Sequence, residues 1–260
     1  MEQLLVSHWA KNTRYEIQRI DGTEYIVPCE YDSIYDPIKF EQNMLTDALN
    51  LGKYLTENDL GQNEMVLEFV HEYGLLGIMP DIAGSDIGRN ERVIVRDNIF
   101  TDGGIVDVNE FAKKFFPLDE IDLLDKVHEK GKLRLCYRRP IYSTMFLRKY
   151  KYFEPLEWVK QYFKYLYGFM VNESRLTEFE PPRLSYKIDD RKGLNLLCEY
   201  DSLKAMIDLA FAKAMTSDKK PLRNCKHCGK LFYANDIRSE FCSAKCRNQY
   251  NVYKSRAKHV

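Results

Sequence analysis

The sequence predicts an α+β chain: a helix-rich N-terminal domain with small antiparallel hairpins, followed by a small cysteine-rich module. Three observations lead there. Apolar residues recur at helical spacing in several separate stretches. Short β-like runs flank tight-turn residues. Four of the seven cysteines stand in the last 36 of the 260 residues. Aromatic residues make up 13%, enough for a sizeable core and too many for a wholly disordered chain.

The elements follow in order. Tyr15 to Ile20 and Tyr25 to Cys29 read as strands joined at Asp21-Gly22, a hairpin signal. Phe40 to Leu55 places Phe40, Met44, Leu45, Ala48, Leu51 and Leu55 on one helical face. Glu64 to Tyr73 does the same with Met65, Val66, Phe69 and Val70, and Gly74 stops it. Gly77 to Asp107 is rich in Gly, Asp and Asn and reads as a long loop with one strand at Arg92 to Val95. Val108 to Phe116 and Leu118 to Val127 read as helices parted at Pro117.

The clearest helix is Pro155 to Val171, with Leu156, Val159, Phe163, Leu166 and Met170 on one stripe and Pro155 suited to the first turn. Arg183 to Ile188 and Asn195 to Tyr200 form a second hairpin. Asp201 or Ser202 then caps a helix running to Met215. Polar Thr216 to Pro221 reads as a linker, which divides the chain into residues 1–216 and 217–260.

No apolar run reaches the ~18–20 residues of a membrane span, and Met1 to Ala10 lacks a signal-peptide pattern, so a cytoplasmic protein without membrane contact is expected. An odd number of cysteines is a poor disulfide framework. Cys29, Cys136 and Cys198 lie in or beside apolar or strand-like stretches and read as buried thiols.

The remaining cysteines form the pattern C-x2-C-x13-C-x3-C, from Cys225 and Cys228 to Cys242 and Cys246. Two thiolate pairs at these separations suit one tetrahedral Zn2+ in a treble-clef-like finger. Cys242 and Cys246, four apart, share a face if helical. Four thiolates leave no open position for water, so the expected zinc is structural, and His227 is read as a surface residue rather than a ligand.

Charge is balanced overall at 39 basic and 39 acidic residues, but Lys219 to Val260 carries +9 and the rest −9. A zinc ion with four thiolates lowers the module to +7, still basic. On a helix after Cys246, Arg247, Asn251, Lys254 and Lys258 form one stripe, with Cys246, Tyr250 and Tyr253 beside it. Such a stripe can meet DNA phosphates, and Asn248 and Asn251 can read base edges.

The run Cys225-x-x-Cys228-Gly-Lys-Leu-Phe through Arg238-Ser-Glu-Phe241-Cys242-Ser-x-x-Cys246-Arg-Asn-Gln resembles the CGNR-type zinc finger. In bacterial proteins that finger closes a chain whose larger part is an ABATE-type stress-sensing domain. The resemblance covers the chain from about Arg183 onward. It implies a transcription regulator whose finger binds DNA and whose N-terminal region senses a small-molecule or protein effector. It carries the zinc ligands onto Cys225, Cys228, Cys242 and Cys246. Of the three residues after the fourth cysteine, Asn248 matches the family, while Arg247 and Gln249 depart from it.

The chain has no HExxH, P-loop or GxSxG pattern, so no enzyme is expected. Asp81, Asp86, Asp97, Asp102 and Asp107 read as turn formers, His71 as a partly buried histidine, and Trp158 and Tyr162 to Tyr167 as core. Two other functions remain open: a zinc-stabilised protein-interaction module, and a nucleic-acid enzyme with its site in residues 1–180.

Overall fold

The computed structural model describes residues 3–6, 9–80, 82–84, 92–95, 98–118, 124–129, 132–137, 151–171, 183–189, 193–199, 202–219, 221–234, 236 and 238–257. It is a mixed helix and sheet structure. Two long strands open it, β2 (Trp9–Ile20) and β3 (Thr23–Tyr35), antiparallel and turning at Asp21-Gly22 as the sequence predicts. Before them, β1 (Gln3–Val6), which sequence patterning does not reveal, pairs parallel with a strand nearly two hundred residues later.

Helices α1 (Glu41–Glu57) and α2 (Gln62–Tyr73) fall where their apolar spacing puts them, and Gly74 ends α2. The stretch read as a loop is instead a small antiparallel sheet of β4 (Ile82–Gly84), β5 (Arg92–Val95) and β6 (Gly104–Asp107). Only β5 has the alternation that betrays a strand. Its neighbours contain glycine and take their conformation from the ladder with β5. Asp107 then caps α3 (Val108–Lys113) by accepting from the N–H groups of Asn109 and Glu110.

The helix expected over Leu118 to Val127 is also corrected. Leu124–Glu129 is strand β7, paired with β8 (Lys132–Tyr137). A short apolar run does not choose between the two conformations, and cross-strand pairing decides it.

After β9 (Glu154–Pro155), which adds an edge to β3, come α4 (Leu156–Val171), the hairpin β10 (Arg183–Asp189) and β11 (Gly193–Glu199), and α5 (Leu203–Met215). Ser202 caps α5 through the Ala205 N–H. The chain ends in the hairpin β12 (Leu222–Asn224) and β13 (Leu231–Tyr233), and α6 (Ala244–Arg256).

The core lies among α1, α2, α4 and α5 against the β2–β3 hairpin, with Met44, Leu49, Val66, Phe163 and Ile207 fully buried. Helix α1 touches each of the other three helices. Its Gly52 lets α4 approach: a Cβ there would lie 2.1 Å from the Phe163 carbonyl oxygen.

Two buried acids tie this core together. Glu154 accepts from the N–H groups of Leu76, Gly77 and Ile78 and from the Tyr152 hydroxyl, so it pins the chain after α2 to β9. Burial pushes its carboxyl up to about 6 against the pull of those four donors. Asp208 accepts from Tyr162 at 2.9 Å and pairs with Lys204 at 2.6 Å, joining α4 to α5.

Candidate metal centre

The β12–β13 hairpin and the start of α6 bring the two cysteine pairs together. Between Cys225 and Lys230 the chain makes a tight turn: Gly229 N–H donates to Cys225 O at 2.9 Å, and Cys225 N–H to Lys230 O at 2.9 Å. Gly229 adopts φ +70°, a conformation that costs glycine nothing sterically. The second pair straddles a helix start. Ser243 is the N-cap and accepts from the Cys246 N–H at 3.2 Å, so Cys246 sits in the first turn of α6 and Cys242 just before it. The Lys226 N–H bond to Glu240 O and the Lys226–Glu240 ion pair bind one half to the other.

The four sulfurs all lie within 4.8 Å of one another. Cys228 and Cys242 are 3.7 Å apart, and Cys242 and Cys246 3.5 Å. Tetrahedral zinc with ~2.3 Å bonds needs sulfurs about 3.8 Å apart, so the donor set fits. Cys225 is buried, Cys246 half-buried, and the other two exposed.

Burial raises the Cys225 thiol, but N–H groups of Cys228, Cys242 and His227 outweigh it and bring it down to about 6. Partial burial and the neighbouring sulfurs push Cys242 up to about 12, and burial raises Cys228 too. Four negative sulfurs this close repel one another unless a cation neutralises them. His227 stands outside the cluster, its ring 5.7 Å from that of Tyr253.

Arg247, Asn248, Asn251 and Lys254 are all exposed on α6, while Lys258 lies outside the described residues. The helix has no buried residue and carries four basic side chains with no acidic one. Tyr250 packs on Phe241 at 5.2 Å between ring centroids, as its spacing suggests, whereas Tyr253 stays exposed beside the His227 ring.

Sequence reasoning missed three residues here. Arg238 lines a shallow concavity with Arg247, Ser239 and Phe241. Asn50 and Lys53 reach the finger from α1, 181 and 176 residues away along the chain. Arg238 lies within the motif run, which assigns it no role, and no local pattern marks Asn50 or Lys53.

The other candidates take ordinary roles. His71 accepts at Nε2 from the Tyr15 N–H and bonds Leu67 O through Nδ1, which uses both ring nitrogens. Asp107 is the helix cap described above, and Tyr162 is buried. Asp81, Asp86 and Asp97 lie outside the described residues. Cys29 is half-buried rather than buried, and the side chains of Cys136 and Cys198 are likewise outside them. Among the described residues, no helix is long and apolar enough to cross a membrane.

No family model, curated protein or solved structure matches this chain.

Proposed function

We propose that this chain is a DNA-binding transcription regulator. In this reading Cys225, Cys228, Cys242 and Cys246 hold one structural Zn2+ in a treble-clef-like finger of the CGNR kind. Residues 217–260 contact DNA, and residues 1–216 respond to a small-molecule or protein effector. A cytoplasmic setting suits the finger, because thiols there stay reduced.

The observation that supports this most is α6. It is 13 residues long, about 20 Å, has no buried residue, with only Cys246 and Tyr250 partly covered, and is basic without an acidic residue. Burial does not account for it, and its charge complements a polyanion. Arg247 and Lys254 meet phosphates; Asn248 and Asn251 read bases. The −9 of the remaining chain competes for the same cations, which offers one route of control.

Titration of the zinc-loaded protein with duplex DNA at several salt concentrations tests the reading. Binding should weaken steeply with salt, and Arg247→Ala should lower the salt slope by about one. Absence of salt-dependent binding would favour an interaction module instead. That alternative has its own support: Val252 and Tyr253 are 46% and 57% exposed on the same helix.

A further inference from the structure

The Cys225–Cys228 half of the metal centre is held by a helix of the body. Asn50 on α1 donates from Nδ2 to Leu231 O at 2.9 Å and accepts at Oδ1 from Leu231 N–H at 2.8 Å. The side-chain amide thus satisfies both backbone groups of the first residue of β13, as a neighbouring strand would. The second Nδ2 hydrogen is also engaged, with Thr46 O at 2.8 Å, so the amide has one orientation that satisfies all three bonds. Three residues on, on the same helix face, Lys53 Nζ donates to Gly229 O at 3.0 Å. Leu231 itself is 4% exposed and belongs to the main core.

The gripped residues, Gly229 and Leu231, flank Lys230, and Gly229 and Lys230 close the cysteine turn. Gly229 N–H bonds Cys225 O, and Lys230 O receives the Cys225 N–H. A short chain of hydrogen bonds therefore runs from α1 to Cys225, although neither Asn50 nor Lys53 is among the clustered cysteines. The same helix packs on α2, α4 and α5.

We infer that Asn50 and Lys53 are positioning residues for the metal site, so that metal affinity and the folding of the body are coupled through α1. This rests on the metal reading of the four cysteines and not on the DNA reading. Coupling is reciprocal: whatever zinc binding adds to the stability of the folded body, folding of the body adds to zinc affinity.

The full-length chain with Zn2+ as probe provides the test. Its two tryptophans, Trp9 and Trp158, both lie in the body, so their fluorescence reports unfolding there and not in the finger. Zinc affinity is read by competition with a chromophoric chelator. Stripping zinc from the parent should lower the tryptophan-reported midpoint. Asn50→Ala should weaken zinc binding about tenfold and shrink that difference in midpoint. Lys53→Ala, which leaves the core side chains untouched, should weaken zinc binding about threefold. Zinc affinity within twofold of the parent in both variants would overturn the proposal, even if the midpoint fell, because the contacts would then serve only the body. A midpoint indifferent to zinc in the parent would overturn it too. A parent that binds no zinc would overturn the metal reading itself, and this inference with it.

Discussion

The body and the finger stay folded by different means. In the body, a continuous core of aliphatic and aromatic side chains is withdrawn from water, and its two fully engaged acids, Glu154 and Asp208, each satisfy several donors. In the finger, Pro221, Cys225, Leu231 and Ala234 are the buried apolar residues among those described, and α6 contributes none. Burial at ~25 cal/mol per Å2 can hold the first but not the second. In the proposed reading a bound Zn2+ holds the finger at one end, and at the other Asn50 and Lys53 tie it to α1. One chain can therefore carry a module too small to fold alone, provided that module borrows part of its neighbour's core.

The sharpest way to break this contrast is to remove the metal. Chelation, or Cys242→Ser, should withdraw on the order of 10 kcal/mol of binding energy from the finger. Far-UV circular dichroism should lose about the helicity of α6, and elemental analysis should find one zinc per parent chain and little in the variant. A parent free of zinc, or a stripped finger with α6 intact, would sink the contrast.

Breaking the body instead requires damage to packing. Gly52→Ala forces a Cβ to 2.1 Å from Phe163 O and 2.8 Å from the Tyr167 Cβ. The α1–α4 contact should open at a cost of about 3 kcal/mol, seen as a lower denaturant midpoint by tryptophan fluorescence. A midpoint equal to the parent's would show that the two helices can part freely.

A smaller loss, about 2 kcal/mol, is expected for Glu154→Gln, since, with the amide oxygen kept on Gly77 and Ile78, the Leu76 N–H faces the side-chain NH2, which cannot accept. The same variant sharpens the pH behaviour. The folded carboxyl sits at about 6 against an ordinary 4.5. Between those values the folded chain holds the extra proton, so Glu154 makes the body more stable as pH falls through that window. That gain, about 2 kcal/mol, is lost again as pH rises to 6. The parent should show this slope in chemical denaturation and Glu154→Gln should not; parallel slopes would refute it.

The mildest effect belongs to the exposed helix. Lys254→Ala should leave both midpoints unchanged and lower the salt slope of DNA binding by about one. A fallen midpoint would mean that α6 braces the fold.

How legible all this is from sequence depends on the range of the interaction. Helices α1, α2, α4 and α5 are visible because a 3.6-residue period writes the buried face into neighbouring positions. The β2–β3 turn and the Ser202 cap are equally local. The strand β1 is hidden because its partner lies nearly two hundred residues away, and β4 and β7, whose partners follow closely in the chain, are hidden because their own short runs do not choose between conformations. Within the metal centre, the spacing of Cys225, Cys228, Cys242 and Cys246 announces the cluster, since thiolates near a turn and a helix start have few other uses at those intervals.

The sequence alone determined the segments with their own periodicity, the grouping of four cysteines into one site, and the basic stripe beside it. Each depends on residues a few positions apart, where chain geometry leaves little choice. Tertiary structure decided that Asn50 and Lys53 face the cysteine turn, that Leu231 completes the body's core, and that Glu154 collects the N–H groups of Leu76, Gly77 and Ile78. Those contacts join residues roughly 80 to 180 positions apart. Their partners become neighbours only after the helices have packed, and a side-chain amide or carboxylate bears no mark of the backbone it will meet.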